Sequence, residues 1–151
     1  MTERYFEETQ RFGVWIYGVL IGLAGLIGFI GGSVGAASAT TAPIVLLIAA
    51  TVFFAAARQE TVADREGVRI KTLYFVRRFI SYTDIVTAEA VTYRPLGDFG
   101  GWGYRLSANG KAYNMRGDRG VQLTLVDGGR VLIGSQRPDA LVAALYKGMN
   151  R

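Results

Sequence analysis

Two patterns divide the chain. From Phe12 to Ala57 apolar and small residues follow one another without a single Asp, Glu, Lys or Arg, and beyond Arg58 apolar and polar residues alternate. The first pattern predicts helices in an apolar solvent, the second half-buried strands with a repeat of two. Residues 12–32 make 21 uncharged positions, and a helix crossing the hydrocarbon core of a bilayer needs about 20. Residues 33–41 are small and weakly polar, the composition of a tight connection at a membrane surface. Pro43 suits the first turn of a second helix, where its missing N–H leaves no bond unmade, so a second span is expected over about residues 40–57. Residues 1–11 are polar and mixed in charge, and Thr2, with Arg4 and Glu7 nearby, is compatible with the start of a short amphipathic helix.

Within the first apolar run, Gly18, Gly22 and Gly25, followed by Gly28 and Gly32, step by three or four and share one drifting helix face. Small residues at this spacing let a second helix come close, although glycine is also simply frequent in membrane helices. Ala42, Ala49 and Ala56 recur every seven residues and supply a matching smooth face, so the two helices are expected to pack as a hairpin through these six positions. A secretory signal peptide would need a basic start and a shorter apolar core. Ala37-Ser38-Ala39 resembles its cleavage site, but residues 1–11 carry three Glu against two Arg and the run is too long. A pair of buried soluble helices is the other alternative, and the remaining domain is too small to cover them. Basic residues flank the spans on the outside only: Arg4 and Arg11 before, Arg58, Arg65 and Arg69 after. By the bias of Lys and Arg toward the cytoplasm, both termini are expected there, in a multi-pass protein of a bacterial inner membrane.

The alternating region reads as a series of short strands: residues 60–64, 68–76, 79–82, 85–93, 104–106, 112–115, 121–126 and 130–134. Val68, Ile70, Thr72, Tyr74 and Val76 fall on one face of the second of these, with Arg77-Arg78 as the turn after it. Asn109-Gly110 and Asp127-Gly128-Gly129 have the chemistry of hairpin turns. Residues 97–103 form a glycine-rich excursion with two aromatics. Pro138 opens an amphipathic helix over about residues 139–147, with Leu141, Val142 and Leu145 as its apolar side. The expected fold class is therefore α+β: a two-helix transmembrane hairpin (12–57) after an N-terminal segment (1–11), then a domain (58–151) built as an antiparallel barrel or sandwich capped by a C-terminal helix.

Composition narrows the chemistry. The chain has no Cys and no His, which removes thiol nucleophiles, thiolate and imidazole metal sites and imidazole general bases. Residues 58–151 hold 15 of the 17 basic and 9 of the 12 acidic side chains, an excess that suits an anionic surface. The acidic residues Asp84, Glu89, Asp98, Asp118, Asp127 and Asp139 are scattered over turns and strand ends and form no helical pair. The expectation is a non-enzymatic protein with no catalytic residues, no metal, no cofactor and no small-molecule substrate. Nucleic acid is not expected as a partner, since proximity to a membrane accounts for the basicity. Arg116-Gly117-Asp118 is a turn, and no glycine pair is followed by the Gly-Lys-Ser/Thr of a phosphate loop.

Gly67-Val68-Arg69-Ile70, the stretch Phe79-Ile80-Ser81-Tyr82-Thr83-Asp84-Ile85 and the helix after Arg137-Pro138 resemble the bacterial pleckstrin-homology-like domains. Tyr93-Arg94-Pro95-Leu96, Gly100-Gly101-Trp102-Gly103, Gly110-Lys111-Ala112-Tyr113-Asn114, Arg119-Gly120-Val121-Gln122-Leu123 and Ile133-Gly134-Ser135-Gln136-Arg137-Pro138 resemble one subgroup of them. The resemblance covers about residues 60–147. It implies a seven-stranded barrel with a C-terminal helix, used for binding or assembly, and implies no particular ligand.

Two surface constellations follow. Arg69, Lys71, Arg77 and Arg78 lie in the hairpin that holds the lipid phosphate in eukaryotic pleckstrin-homology domains; they serve either headgroup recognition or a non-specific attraction to anionic lipid. Trp102, Tyr104 and Arg105 stand beside flexible glycines, as a recognition loop or with Trp102 filling the core. The leading expectation is a membrane-anchored interaction module that meets another membrane protein or a second copy of itself. Lipid sensing is the alternative, and an accessory subunit of a transport or secretion complex the third.

Overall fold

A computed structural model describes residues 3–150 apart from Ala36 and Tyr74, with the side chains of residues 37–39 also left aside. The expectations for Thr2, for Tyr74 on a strand face and for the Ala37-Ser38-Ala39 side chains lie outside the described residues. The chain divides into two compact units, Phe12–Ala57 and a second made of Met1–Arg11 with Arg58–Arg151.

The first unit is a pair of helices, α1 (Trp15–Ser33) and α2 (Ala37–Ala56). At 1.5 Å per residue, α1 is roughly 29 Å long, and it is the one described helix long and apolar enough to cross a membrane. The apolar stretch of α2, Thr40–Ala56, is shorter. Because α2 begins at Ala37, Pro43 is inside the helix rather than in its first turn. The Thr51 hydroxyl turns back to donate to the Leu47 carbonyl at 2.7 Å.

The second unit is α+β, with nine strands among the described residues. Its first surprise is β1, Arg4–Arg11. The polar N-terminal segment is a strand, not an amphipathic helix and not a separate piece. It pairs antiparallel with β2 (Arg58–Asp64) from Arg4↔Asp64 to Arg11↔Arg58. The domain is thus interrupted by the apolar unit, which is inserted between two neighbouring strands. With β3 (Gly67–Thr72) and β4 (Val76–Ser81) these strands make a four-stranded sheet in the order β1-β2-β3-β4. Arg77 and Arg78 belong to β4, so the turn lies earlier than the sequence suggests.

A single 3-10 turn, Tyr82–Asp84, leads to the second sheet. It contains β5 (Ile85–Thr92), β6 (Gly103–Ser107), β7 (Gly110–Asn114), β8 (Arg119–Leu125) and β9 (Arg130–Gly134), ordered β5-β8-β9-β7-β6. This sheet is mixed, since β7 and β9 run parallel. The strand β9 slots between β7 and β8, and glycine permits the fit: a Cβ on Gly120 would meet the Ile133 carbonyl oxygen at 2.5 Å. Neither edge of one sheet pairs with an edge of the other among the described residues, so the expected closed barrel of seven antiparallel strands is replaced by two sheets. The 3-10 turn that interrupts β4 and β5 is where continuous pairing stops.

Both sheets share one core. Ile70 and Ile80 from the first meet Val121, Leu123 and Ile133 from the second. The helix α4 (Pro138–Met149) contributes Leu141 and Leu145, both fully buried, in agreement with the predicted apolar side. A smaller cluster of Tyr93, Phe99, Ala112 and Leu132 forms where the short helix α3 (Pro95–Phe99) folds the glycine-rich excursion back.

Candidate functional site

Strand register gathers the candidate surface at one end of the first sheet. Gln10 pairs with Gln59, Gln59 with Thr72 and Thr72 with Val76, which forms one rung across all four strands. The next rung begins with Arg11↔Arg58, the strand residues that flank the apolar unit on either side. Leu73 and Phe75 lie one residue beyond the Thr72↔Val76 pair, where the chain turns from β3 to β4. Leu73 is held at φ +59°, a left-handed conformation uncommon for a residue with a Cβ. Phe75 is 73 % exposed, the highest value for a large apolar side chain in this unit.

The four predicted basic residues surround this turn without forming a single patch. Residues opposite each other in a ladder point to the same side, so Lys71↔Arg77 and Arg69↔Phe79 share the outer face. Arg78 lies opposite Ile70 on the other face, close enough to Tyr113 that its charge pulls that phenol's pKa down against the upward push of burial. Their electrostatic states also differ. The Arg69 guanidinium is bound by the Asp64 and Glu66 carboxylates and lies 5.3 Å from the centroid of the Phe79 ring. Lys71 is 3.9 Å from Glu60, which also holds Arg58 at 3.1 Å. Arg77 and Arg78 have no ion-pair partner among the described residues. Free cationic capacity is therefore concentrated on β4, next to Phe75.

The glycine-rich segment is largely occupied in holding itself together. Trp102 is half-buried and its Nε1 donates to the Gly117 carbonyl at 3.1 Å, tying the excursion to the β7–β8 loop. Tyr104 packs on Tyr113 with ring centroids 5.1 Å apart. Arg105 is exposed, and its Nε donates back to the Trp102 carbonyl at 3.1 Å. Beside it Leu106 is 67 % exposed on β6, an edge strand of the second sheet. Arg105 and Leu106, rather than Trp102 and Tyr104, are what this segment offers to a partner.

The helix-packing residues need correction. A Cβ added to Gly18, Gly22 or Gly25 would meet nothing within 4 Å, so these glycines do not face α2. Ala42, Ala49 and Ala56 are exposed as well. The contact is made instead by Gly31, where a Cβ would run into Thr40, and by Gly28, where an added Cβ would lie 3.8 Å from the Ile44 side chain. Tyr17 donates its hydroxyl to the Phe54 carbonyl at 3.3 Å, and Phe12 packs edge-on against Phe54 at 4.9 Å. On α2 the facing positions Thr40, Ile44, Leu47, Thr51 and Phe54 alternate steps of four and three. Spacing alone identifies a small-residue face but does not say which way it turns.

One cluster escaped the sequence reading. Glu8, 9 % exposed, accepts from the Ser135 hydroxyl at 2.8 Å and the Gln136 N–H at 2.9 Å. Gln10 and Gln59 donate to the Gly134 carbonyl at 2.8 and 3.3 Å. Arg137 donates to the Glu7 carbonyl at 2.6 Å and lies 4.9 Å over the Phe6 ring. The Gly134-Ser135-Gln136-Arg137 motif is therefore a clamp on β1. Its only sequence signal was the motif itself, because the partner strand is on the far side of the apolar segment.

No known protein-family model matches the chain, and no curated protein matches it.

Proposed function

We propose that this chain is a non-enzymatic, membrane-anchored interaction module that holds a pleckstrin-homology-like domain against the cytoplasmic face of a bacterial inner membrane. The observation that carries the proposal is the Arg11↔Arg58 pair. The apolar unit leaves and re-enters the domain through adjacent strands, so both crossings return to the same side and the domain is tied down at two neighbouring points. A doubly tethered domain loses rotational freedom, and a partner confined to the same membrane meets it at raised effective concentration. Support for the pleckstrin-homology-like kinship comes from two sheets sharing a core closed by a C-terminal helix. The β6 edge, with Arg105 exposed on one face of the sheet and Leu106 on the other, is the surface assigned to a membrane-protein partner.

The test is crosslinking of the full-length protein in native membranes, with recovered partners identified by mass spectrometry. One membrane protein recovered in near-equal amount, and lost on Arg105→Glu with Leu106→Asp, is the expected result. Recovery of this chain alone, or a partner indifferent to both substitutions, defeats the assembly reading. A second reading, attraction to anionic lipid, is favoured by the unpaired Arg77 beside Lys71. Charge reversal at these two positions is expected to weaken retention of the domain on anionic vesicles, and retention unchanged by reversal removes that reading.

A further inference from the structure

Three elements reach the same edge of the domain: the end of β1, the start of β2 and the turn between β3 and β4. The first two continue directly into Phe12 and from Ala57, the limits of the apolar unit. Neighbouring strands are about 4.8 Å apart, so in the order β1-β2-β3-β4 the turn lies roughly 7 Å along the sheet from the start of β2 and roughly 12 Å from the end of β1. It follows directly on the Gln59↔Thr72 and Thr72↔Val76 pairs, at the same end of the sheet as Arg11 and Arg58. Phe75 is left exposed by the described residues, and Leu73 adopts a backbone conformation that a bulky residue takes only when its surroundings impose it. Arg77, which has no ion-pair partner among the described residues, follows two residues later, and Lys71 stands opposite it.

An aromatic tip flanked by basic residues has the chemistry of the bilayer interface, where rings sit at headgroup level and cations meet lipid phosphates. We propose that the β3–β4 turn is a third membrane anchor: Phe75 enters the interfacial layer while Arg77 and Lys71 contact anionic headgroups. The inference rests on the reading of the apolar unit as membrane-spanning and goes beyond it in naming a part of the folded domain that enters lipid. Its consequence is mechanical. Two tethers side by side define a line about which the domain can still rock, and a third contact displaced along the sheet removes that motion.

The chain has no cysteine, so single cysteines can be placed and labelled with an environment-sensitive fluorophore in the full-length protein, reconstituted in bilayers containing anionic lipid. Three sites suffice. Phe75→Cys reports the tip. Val126→Cys is a control of similar exposure, 65 %, in the β8–β9 turn at the far end of the domain, where the Val126 N–H donates to the Asp84 carbonyl. Leu26→Cys, on an exposed face of α1, reports the apolar unit itself. The expected result is a blue-shifted label at position 75, quenched several-fold more by lipid-borne than by aqueous quenchers, with the reverse at 126. A label at 75 as open to water as that at 126, while the one at 26 is lipid-quenched, overturns the third anchor and leaves the membrane span standing. A label at 26 quenched from water overturns both. Circular dichroism of each labelled protein confirms that the domain is folded before quenching is read.

Discussion

Glu8 shows what a single side chain does here. A carboxylate inside a protein is costly unless its oxygens are satisfied, and this one receives Ser135 and Gln136 with Arg137 at 3.8 Å. Removing it leaves buried donors without an acceptor. Glu8→Ala is expected to cost about 3 kcal/mol, in the range for breaking a buried charged network, and Glu8→Gln less because one oxygen still accepts. Urea unfolding of the detergent-solubilised protein measures both. Tyr82 gives a pH signature. Burial, then the nearby Asp64 carboxylate, push its phenol up to about 12 from 10, while its hydroxyl donates to the Asp64 carbonyl at 2.6 Å. The unfolded chain loses this proton first, so stability is complete below pH 10 and falls as pH rises from 10 toward 12. Tyr82→Phe is expected to flatten part of that fall in a pH series of thermal melts. The remaining slope comes from Tyr93 and Tyr113, which burial also shifts upward.

At the scale of elements, the helix pair and the clamp follow different rules. The α1–α2 contact depends on close approach at Gly31, so Gly31→Leu is expected to overpack the pair and cost about 1–3 kcal/mol. Ala at Gly18, Gly22 or Gly25 is expected to leave the isolated pair unperturbed, since a Cβ there meets nothing within 4 Å. Thermal stability of the four variants in detergent separates the two predictions. Several elements were legible before the structure. The Asp127-Gly128-Gly129 hairpin is as read: Gly128 takes φ +79° and the Gly129 N–H donates to Asp127 Oδ1 at 2.8 Å. The strand β9 and helix α4 also follow their sequence patterns closely. Asn109-Gly110 was half right. Gly110 pairs with Ser107, so the two-residue loop is Ala108-Asn109, and the glycine is needed because a Cβ would collide with Arg130. The barrel closure and the β4 boundary were not legible, because both depend on which strands meet.

For the whole molecule, the decisive feature is that one domain is assembled from both sides of an apolar insertion. Residues 58–151 alone lack β1, leaving β2 as an unpaired edge and exposing the inner side of Gln59 and Ala63, both fully buried in the intact domain. That fragment is expected to be marginal or aggregating. Because Arg11 and Arg58 are directly opposite, a two-residue Asn-Gly turn in place of residues 12–57 is expected to close β1 and β2 as an ordinary hairpin. The resulting soluble domain is expected to unfold in one cooperative transition, and a broad, non-cooperative melt counts against the discontinuous domain.

The sequence by itself determined the division of this chain into an uncharged apolar part and an alternating part, the helical apolar segment, the alternating strands and the amphipathic closing helix. Each is written in a local repeat or turn chemistry that needs no distant partner. Only the tertiary structure decided that residues 4–11 belong to the domain. Their core-facing positions are Phe6, Glu8 and Gln10, two of them polar, so hydrophobic periodicity does not mark them as a buried strand. They are buried because Gly134, Ser135 and Gln136 arrive from the other end of the chain to satisfy them. The direction of the glycine face and the splitting of Arg78 from Arg77 were settled the same way, by geometry between elements that no local pattern contains.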